Sequence, residues 1–310
     1  MDTSQIILAF LSIGLIGGVL GAVLAYASKV FYVAVDPKVE KIAEVLPQAN
    51  CGACGYPGCS GYSDAIVSKG APINLCSPGG QSVIDQIAII MGVTATASVS
   101  MVAYCACNGT KDNAKNRFEY YGPKSCSSAV FVSGGHKACD YGCLGFGDCV
   151  EACLFGAMGM SEDGLPFVDD SKCVGCGACV KACPKGVMKM MPKGAKVYIS
   201  CNSKAKGKEV TDACVVGCIG CKICSLPKTT PSGAIKMNGD LPVVNYDIED
   251  TLTGAKFKCP KGCFIDKGDS SKTSDQIAKE KEEFKVEEAK ASEAAKKAAL
   301  EKAAANKQEV

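Results

Sequence analysis

The chain has 310 residues, of which 22 are Cys, one is His and none is Trp, and its formal net charge is +2. Near-neutral charge argues against nucleic acid as a main partner, and a single His excludes the His-rich zinc and haem sites. Aromatic residues make up 6% of the chain, so the segments between cysteines lack bulk for large cores and something other than hydrocarbon must fill their centres.

The first element is an uncharged run from Ile6 to Ser28, long enough to cross a bilayer core, which takes roughly 20 apolar residues. A cleaved signal peptide would begin with Lys or Arg and carry a shorter apolar core; here only Asp2 precedes the run. The expectation is a retained transmembrane anchor over 1–30. Lys29, Lys38 and Lys41 follow it, so the positive-inside rule predicts a single pass through the cytoplasmic membrane with the bulk on the cytoplasmic side. A reducing compartment suits thiolate ligands and disfavours disulfides. Gly14 with Gly18 and Gly17 with Gly21 have the spacing that lets another helix approach, although Gly is common in membrane helices generally.

Residues 31–93 carry Cys51-x2-Cys54-x4-Cys59, closed by Cys76, among Gly52, Gly55, Gly58 and Gly61. The flanking stretches DPKVEKIAEVLPQAN, GYSDAIVSKG and GGQSVIDQIAIIMG read as three short helices. Four thiolates on loops between short helices suit a [4Fe–4S] cluster or a structural zinc. A connecting segment over 94–130 holds Cys105, Cys107 and Cys126. Cys107 and Cys126 are further candidate ligands, and buried structural thiols are the other reading.

Residues 131–193 are more specific. Cys173-x2-Cys176-x2-Cys179-x3-Cys183-Pro184 is the bacterial ferredoxin run, in which three thiolates hold one cube and the fourth reaches a neighbour. Cys149-Val-Glu-Ala-Cys153 repeats Cys179-Val-Lys-Ala-Cys183, and Cys143 matches Cys173. Phe146 stands where a counterpart of Cys176 belongs, and Cys139 is the nearest replacement. The expected tetrads are therefore Cys139, Cys143, Cys149 and Cys183, and Cys153, Cys173, Cys176 and Cys179.

Residues 194–267 read as a second, degenerate copy. Cys214-Val-Val-Gly-Cys218-Ile-Gly-Cys221 echoes Cys139-Asp-Tyr-Gly-Cys143-Leu-Gly, and Tyr198-Ile-Ser-Cys201-Asn echoes Tyr104-Cys105-Ala-Cys107-Asn. Lys228 replaces the Cys expected after Cys224. A cluster on Cys218, Cys221 and Cys224 is expected, with Cys263 as its distant fourth ligand and Cys201, Cys214 and Cys259 as further candidates. The Ala-, Glu- and Lys-rich residues 268–310 hold no persistent apolar stripe and read as a charged tail, helical or disordered. No Walker motif is present, and no G-x-G-x-x-G follows a predicted strand. No residue stands out as an acid, base or nucleophile, so no catalytic residue is expected. The fold class is α+β and multidomain: one transmembrane helix, a small helical four-Cys domain, tandem (βαβ)2 ferredoxin-like modules and the tail.

An apolar helix followed by the Cys51, Cys54, Cys59, Cys76 domain and the ferredoxin pair around Cys149 and Cys173 resembles the B subunit of the Rnf complex, in its longer clostridial-type form. The resemblance covers residues 1 to about 266 and departs from the usual pattern at Lys228 and in the last motif. It implies a component of a membrane-bound ferredoxin:NAD oxidoreductase that couples electron flow to Na+ or H+ transport. Reduced soluble ferredoxin would be the donor, and other membrane and peripheral subunits, which carry the flavin and NAD sites, would be partners. At least three [4Fe–4S] clusters follow, with a fourth or more expected. A membrane-tethered polyferredoxin serving another reductase and a zinc-scaffold interaction protein are the alternatives.

Overall fold

The computed structural model describes residues 3–31, 36–95, 97, 99–267, 276, 278–290 and 293. Helix α1 (Thr3–Val30) contains a stretch, Phe10–Val30, with mean hydropathy 2.1 and no share buried inside the chain. Phe10, Leu15 and Leu24 stand exposed along it. It is long and apolar enough to cross a membrane.

Three short helices follow, as the sequence predicts: α2 (Pro37–Val45), α3 (Gly58–Lys69) and α4 (Gly80–Met91). Asp36 caps α2 by accepting the Lys38 amide at 2.8 Å, with Pro37 at the first helical position. Gly70 and Gly92 end α3 and α4 in left-handed conformations. Ile42, Leu46, Tyr62, Ile66, Val83 and Ile87 bury one face of each helix, with Cys59 and Cys76 inside the same core. Each of the large aliphatic side chains contributes about 1.5–3 kcal/mol. So small a core leaves room at its centre for the thiols.

Strand β1 (Met101–Cys105) follows, then α5 (Cys126–Val130), α6 (Asp148–Glu151), β2 (Met158–Met160), β3 (Pro166–Val168), α7 (Ala178–Ala182) and β4 (Met188–Pro192). β1 pairs antiparallel with β4, Met101 opposite Pro192, and β2 pairs with β3. The boundary expected at residue 131 is therefore not a structural break. Val102, Ala103 and Tyr104 of β1 are buried, which a strand achieves only with a partner, and that partner lies beyond the boundary.

The same scheme recurs over β5 (Val197–Ile199), α8 (Lys208–Ala213), β6 (Ile235–Asn238), β7 (Leu241–Val244), α9 (Thr253–Lys258) and β8 (Phe264–Asp266). β5 pairs with β8 and β6 with β7, all antiparallel. The two halves meet where the Tyr104 and Tyr198 rings lie 4.9 Å apart and where Ala114 bridges to Cys214. Within the expected tail, residues 278–290 are helical. The Phe284 ring lies 5.3 Å from that of Phe257 in α9, and Glu288 pairs with Lys258. This part leans on α9 through one aromatic contact despite lacking an apolar stripe. Residues 268–275 and 294–310 of the tail lie outside the described residues.

Candidate metal centres

None of the 22 cysteines is in a disulfide; most face shared cavities. The first cavity, of about 310 Å³, is lined by Cys51, Cys54, Cys59 and Cys76. Asn50 Oδ1 accepts the Cys59 amide at 2.8 Å. The Tyr62 hydroxyl donates to the Pro72 carbonyl at 2.7 Å and accepts the Leu75 amide at 3.1 Å, which holds the loop leading into Cys76. Burial pushes the Cys76 thiol up, and its Cys59 and Cys51 neighbours add to that.

The second cavity, of about 330 Å³, is lined by Cys153, Cys173, Cys176 and Cys179. Gly175 has φ +69 in the loop between Cys173 and Cys176, and a Cβ there would collide with the Met101 carbonyl of β1. The loop thus packs against a strand that lies in the segment expected to be a connector. The Ala157 amide donates to Cys153 Sγ at 3.3 Å, and burial pushes Cys179 up to about 11. Burial raises Cys176 too, and among its charged neighbours is Cys51 of the first cavity.

The third cavity, of about 380 Å³, is lined by Cys126, Cys143, Cys149 and Cys183. Here the structure places Cys126 where the sequence suggests Cys139. Asp148, just before Cys149, accepts the Cys126 amide at 2.6 Å, the Ser127 amide at 2.9 Å and the Ser125 hydroxyl at 3.0 Å. This clamp carries the start of α5 to the cavity. Phe146, in the place of the absent thiol, packs instead on His136 at 5.2 Å and Tyr120 at 5.6 Å. Burial works against ionisation of Asp148, but the hydrogen bonds from Ser127, Cys126 and Ser125 overcome it and hold the carboxyl at about 2. Burial pushes Cys149 up to about 12.

In the C-terminal half, Cys224 is raised to about 12 by burial and then by Cys218, Cys259 and Cys221, so these four thiols share one neighbourhood. Cys259-Pro-Lys-Gly repeats Cys183-Pro-Lys-Gly, and its contacts repeat as well. The Val187 amide donates to Cys183 Sγ at 3.3 Å and the Cys263 amide to Cys259 Sγ at 3.4 Å. Lys185 Nζ donates to the Asp140 carbonyl at 2.6 Å and Lys261 Nζ to the Val215 carbonyl at 3.2 Å. Cys259 thus occupies the place of Cys183, and Cys263, the fourth member suggested by sequence, occupies that of Val187. Hydrogen bonding to Cys218 and Cys259 keeps Cys263 protonated. The same bonds lower Cys259 to about 6 and Cys218 to about 7. Cys221 is the exposed cysteine.

A further cavity, of about 650 Å³, lies between the halves and is lined by Cys107, Cys139, Cys201 and Cys214, together with Cys143. Cys105 is the remaining thiol; it hydrogen-bonds to Cys143, which together with burial drives it well up.

The donor set fits iron–sulfur clusters. Among the described residues no three His, Cys, Asp or Glu side chains are grouped to hold a single metal ion, as zinc would require with every sulfur about 2.3 Å from it. Backbone N–H groups aimed at sulfur are the donors that stabilise bound thiolates. Burial raises several of these thiols, Cys76, Cys149, Cys179 and Cys224 among them, so cluster assembly releases protons and is coupled to pH. Asp148 escapes a reading by spacing alone, and Cys126 and Cys259 are there only two candidates among several; the repeated Cys-Pro-Lys-Gly is the available signal for Cys259.

Residues 46–78 match a family model for an Fe-S cluster domain and residues 138–188 one for a 4Fe-4S dicluster domain. The chain is 45% identical over 265 residues to the B subunit of the proton-translocating ferredoxin:NAD(+) oxidoreductase complex of Clostridium ljungdahlii, covering 84% of this chain and 92% of the relative. It is 42% identical to the B subunit of the ion-translocating oxidoreductase complex of Methanosarcina acetivorans, over 79% of this chain and 92% of the relative. A third relative, the B subunit of the Na(+)-translocating ferredoxin:NAD(+) oxidoreductase complex of Acetobacterium woodii, is 40% identical over 81% of this chain and 75% of its own length.

Proposed function

The chain belongs to the family of B subunits of ion-translocating ferredoxin:NAD(+) oxidoreductase (Rnf) complexes, and from that premise we propose that it takes electrons from soluble ferredoxin and relays them to membrane subunits. It is an iron–sulfur electron-transfer subunit of such a translocase, with [4Fe–4S] domains.

Bound [4Fe–4S] clusters supply reversible one-electron chemistry at potentials set by burial, charge and hydrogen bonds to sulfur. The chain's own residues hold and tune them. Cys51, Cys54, Cys59 and Cys76 hold one, and Cys153, Cys173, Cys176 and Cys179 the next. Cys126, Cys143, Cys149 and Cys183 hold a third, and Cys218, Cys221, Cys224 and Cys259 a fourth. The amides of Ala157, Val187 and Cys263 offset negative charge on Cys153, Cys183 and Cys259 and so favour the reduced state. Cys263 adds a thiol donor to the fourth tetrad. No acid, base or nucleophile on this chain is required.

The recurrent strand pairing and Cys-Pro-Lys-Gly contacts support two ferredoxin-like modules in tandem, the first including residues 101–105. The helix Thr3–Val30 anchors the chain in a single pass, and Lys29, Lys38 and Lys41 keep the modules on the cytoplasmic side. Ferredoxin docks at the C-terminal module, where Cys221 is exposed and Lys222 and Lys228 flank the motif at the surface. Electron flow through the whole complex drives Na+ or H+ transport on partner subunits.

The observation that carries this reading is that three cavities are each lined by four thiols: Cys51, Cys54, Cys59 and Cys76, then Cys153, Cys173, Cys176 and Cys179, then Cys126, Cys143, Cys149 and Cys183. Anaerobic purification followed by iron, sulfide and zinc analysis tests it. Iron and acid-labile sulfide in equal amounts are expected; a colourless protein holding zinc without sulfide would contradict it.

A further inference from the structure

The large cavity between the two halves has a symmetry that neither half possesses alone. Cys107 precedes Asn108 as Cys201 precedes Asn202, and Cys139 lies four residues before Cys143 as Cys214 lies four before Cys218. The cavity is thus lined by two equivalent pairs, one from each half. Their surroundings match. The Cys143 amide donates to Cys107 Sγ at 3.5 Å, and the Cys218 amide to Cys201 Sγ at 3.3 Å. A Cβ on Gly142 would lie 3.5 Å from Cys139 Cβ, and one on Gly217 3.6 Å from Cys214 Cβ. Gly145 admits the Gly164 carbonyl closely in one half, and Gly220 admits Asp240 in the other.

Equivalent residues also meet one another across the junction, as they must beside a two-fold axis. Tyr104 and Tyr198, three residues before Cys107 and Cys201, touch ring to ring at 4.9 Å. The Lys115 backbone clips the two remaining thiols into place: its amide donates to the Ala213 carbonyl at 3.0 Å and its carbonyl accepts the Ala138 amide at 2.8 Å. Ala138 precedes Cys139 as Ala213 precedes Cys214. All four thiols, Cys107, Cys139, Cys201 and Cys214, line this one cavity. Cys143 also lines this cavity, but its counterpart Cys218 does not, and Cys143 serves the third tetrad.

We propose that Cys107, Cys139, Cys201 and Cys214 hold a further [4Fe–4S] cluster on a local two-fold axis between the halves, two ligands from each. This rests on the iron–sulfur reading above and extends it. The cluster stands between the tetrad of Cys143 and that of Cys218, each of which sends a backbone amide to one of its sulfurs. It closes the gap in a file of centres running from exposed Cys221 to Cys51. A single electron taken from one neighbour is passed to the other, with no bond made or broken.

The test is the metal content of the full chain, anaerobically purified in detergent. Five cubes give about 20 iron and about 20 sulfide per chain, four of each per cube. In Cys201→Ser and in Cys107→Ser, iron and sulfide fall by about four each, with loss of one and the same signal from the reduced EPR spectrum. Cys105→Ser, at a buried neighbour outside the tetrad, keeps the wild-type content. A wild-type chain with no more than about 16 iron would overturn the proposal, as would unchanged content in both tetrad variants, or zinc lost in place of iron. A wild-type chain with neither iron nor sulfide would instead overturn the broader iron–sulfur reading.

Discussion

The backbone amide of Cys126 donates to Oδ1 of Asp148 at 2.6 Å. Asp148 adjoins Cys149, so one carboxylate ties a distant loop to the helix that carries a cluster thiol. The bond holds Cys126 at the cavity it lines with Cys143, Cys149 and Cys183, where it would stand in for the thiol absent at Phe146. Cys126→Ala is therefore expected to abolish the same EPR signal of the reduced protein that Cys149→Ala abolishes, and Cys139→Ala to leave that signal in place. A signal retained in Cys126→Ala and lost in Cys139→Ala would reverse the assignment.

The same carboxylate gives a pH signature. Its folded value of about 2 lies below its ordinary 3.8, so the stability it contributes is fully present above about pH 4 and is lost as pH falls through 2. Asp148→Asn is expected to cost about 1 kcal/mol at pH 7, a figure reduced for the partial exposure of the group. Thermal unfolding of both proteins between pH 7 and pH 3 measures this. The gap should hold to near pH 4 and narrow below it; a gap that widens in acid would refute the clamp.

Gly175 is the tightest point of the ferredoxin-like loop. Its φ is +69, and any Cβ would meet the Met101 carbonyl. Gly175→Ala is expected to cost at least about 1–2 kcal/mol from backbone strain alone. It should also lower the iron bound by Cys153, Cys173, Cys176 and Cys179. Gly177→Ala, also at positive φ but with open space around it, should be milder. Iron content and melting temperature of the two variants decide; equal effects would mean that the contact with β1 does not matter.

Spacing points to thiols that lie close together in the chain. Cys51, Cys54 and Cys59 line one cavity and Cys173, Cys176 and Cys179 another, because a tight Gly-containing loop leading into a short helix can present three thiols at once. Cys126 is only one candidate among several by sequence, because its place is set by a hydrogen bond to Asp148 rather than by a repeat. The four thiols around the cavity between the halves are scattered for a different reason: they come from equivalent places in the two halves, and only folding brings those places face to face. β1 was missed because five residues with few strand signals pair with a partner far along the chain.

Lys222 and Lys228 stand exposed just beyond the exposed Cys221 in the chain. Replacing both by Glu is expected to slow reduction by ferredoxin about tenfold at low salt, with a smaller effect as ionic strength rises. Reduction by dithionite should be unaffected. Stopped-flow kinetics at two salt concentrations provide the comparison, and a salt-independent rate equal to wild type would place ferredoxin elsewhere.

Electron receipt from ferredoxin into thiolate-held clusters is measured by mixing the anaerobic, oxidised chain with less than one equivalent of reduced ferredoxin and following both partners by freeze-quench EPR. Ferredoxin is expected to be reoxidised while reduced-cluster signals belonging to this chain appear. Ferredoxin that stays reduced beside a chain that dithionite can still reduce would contradict it.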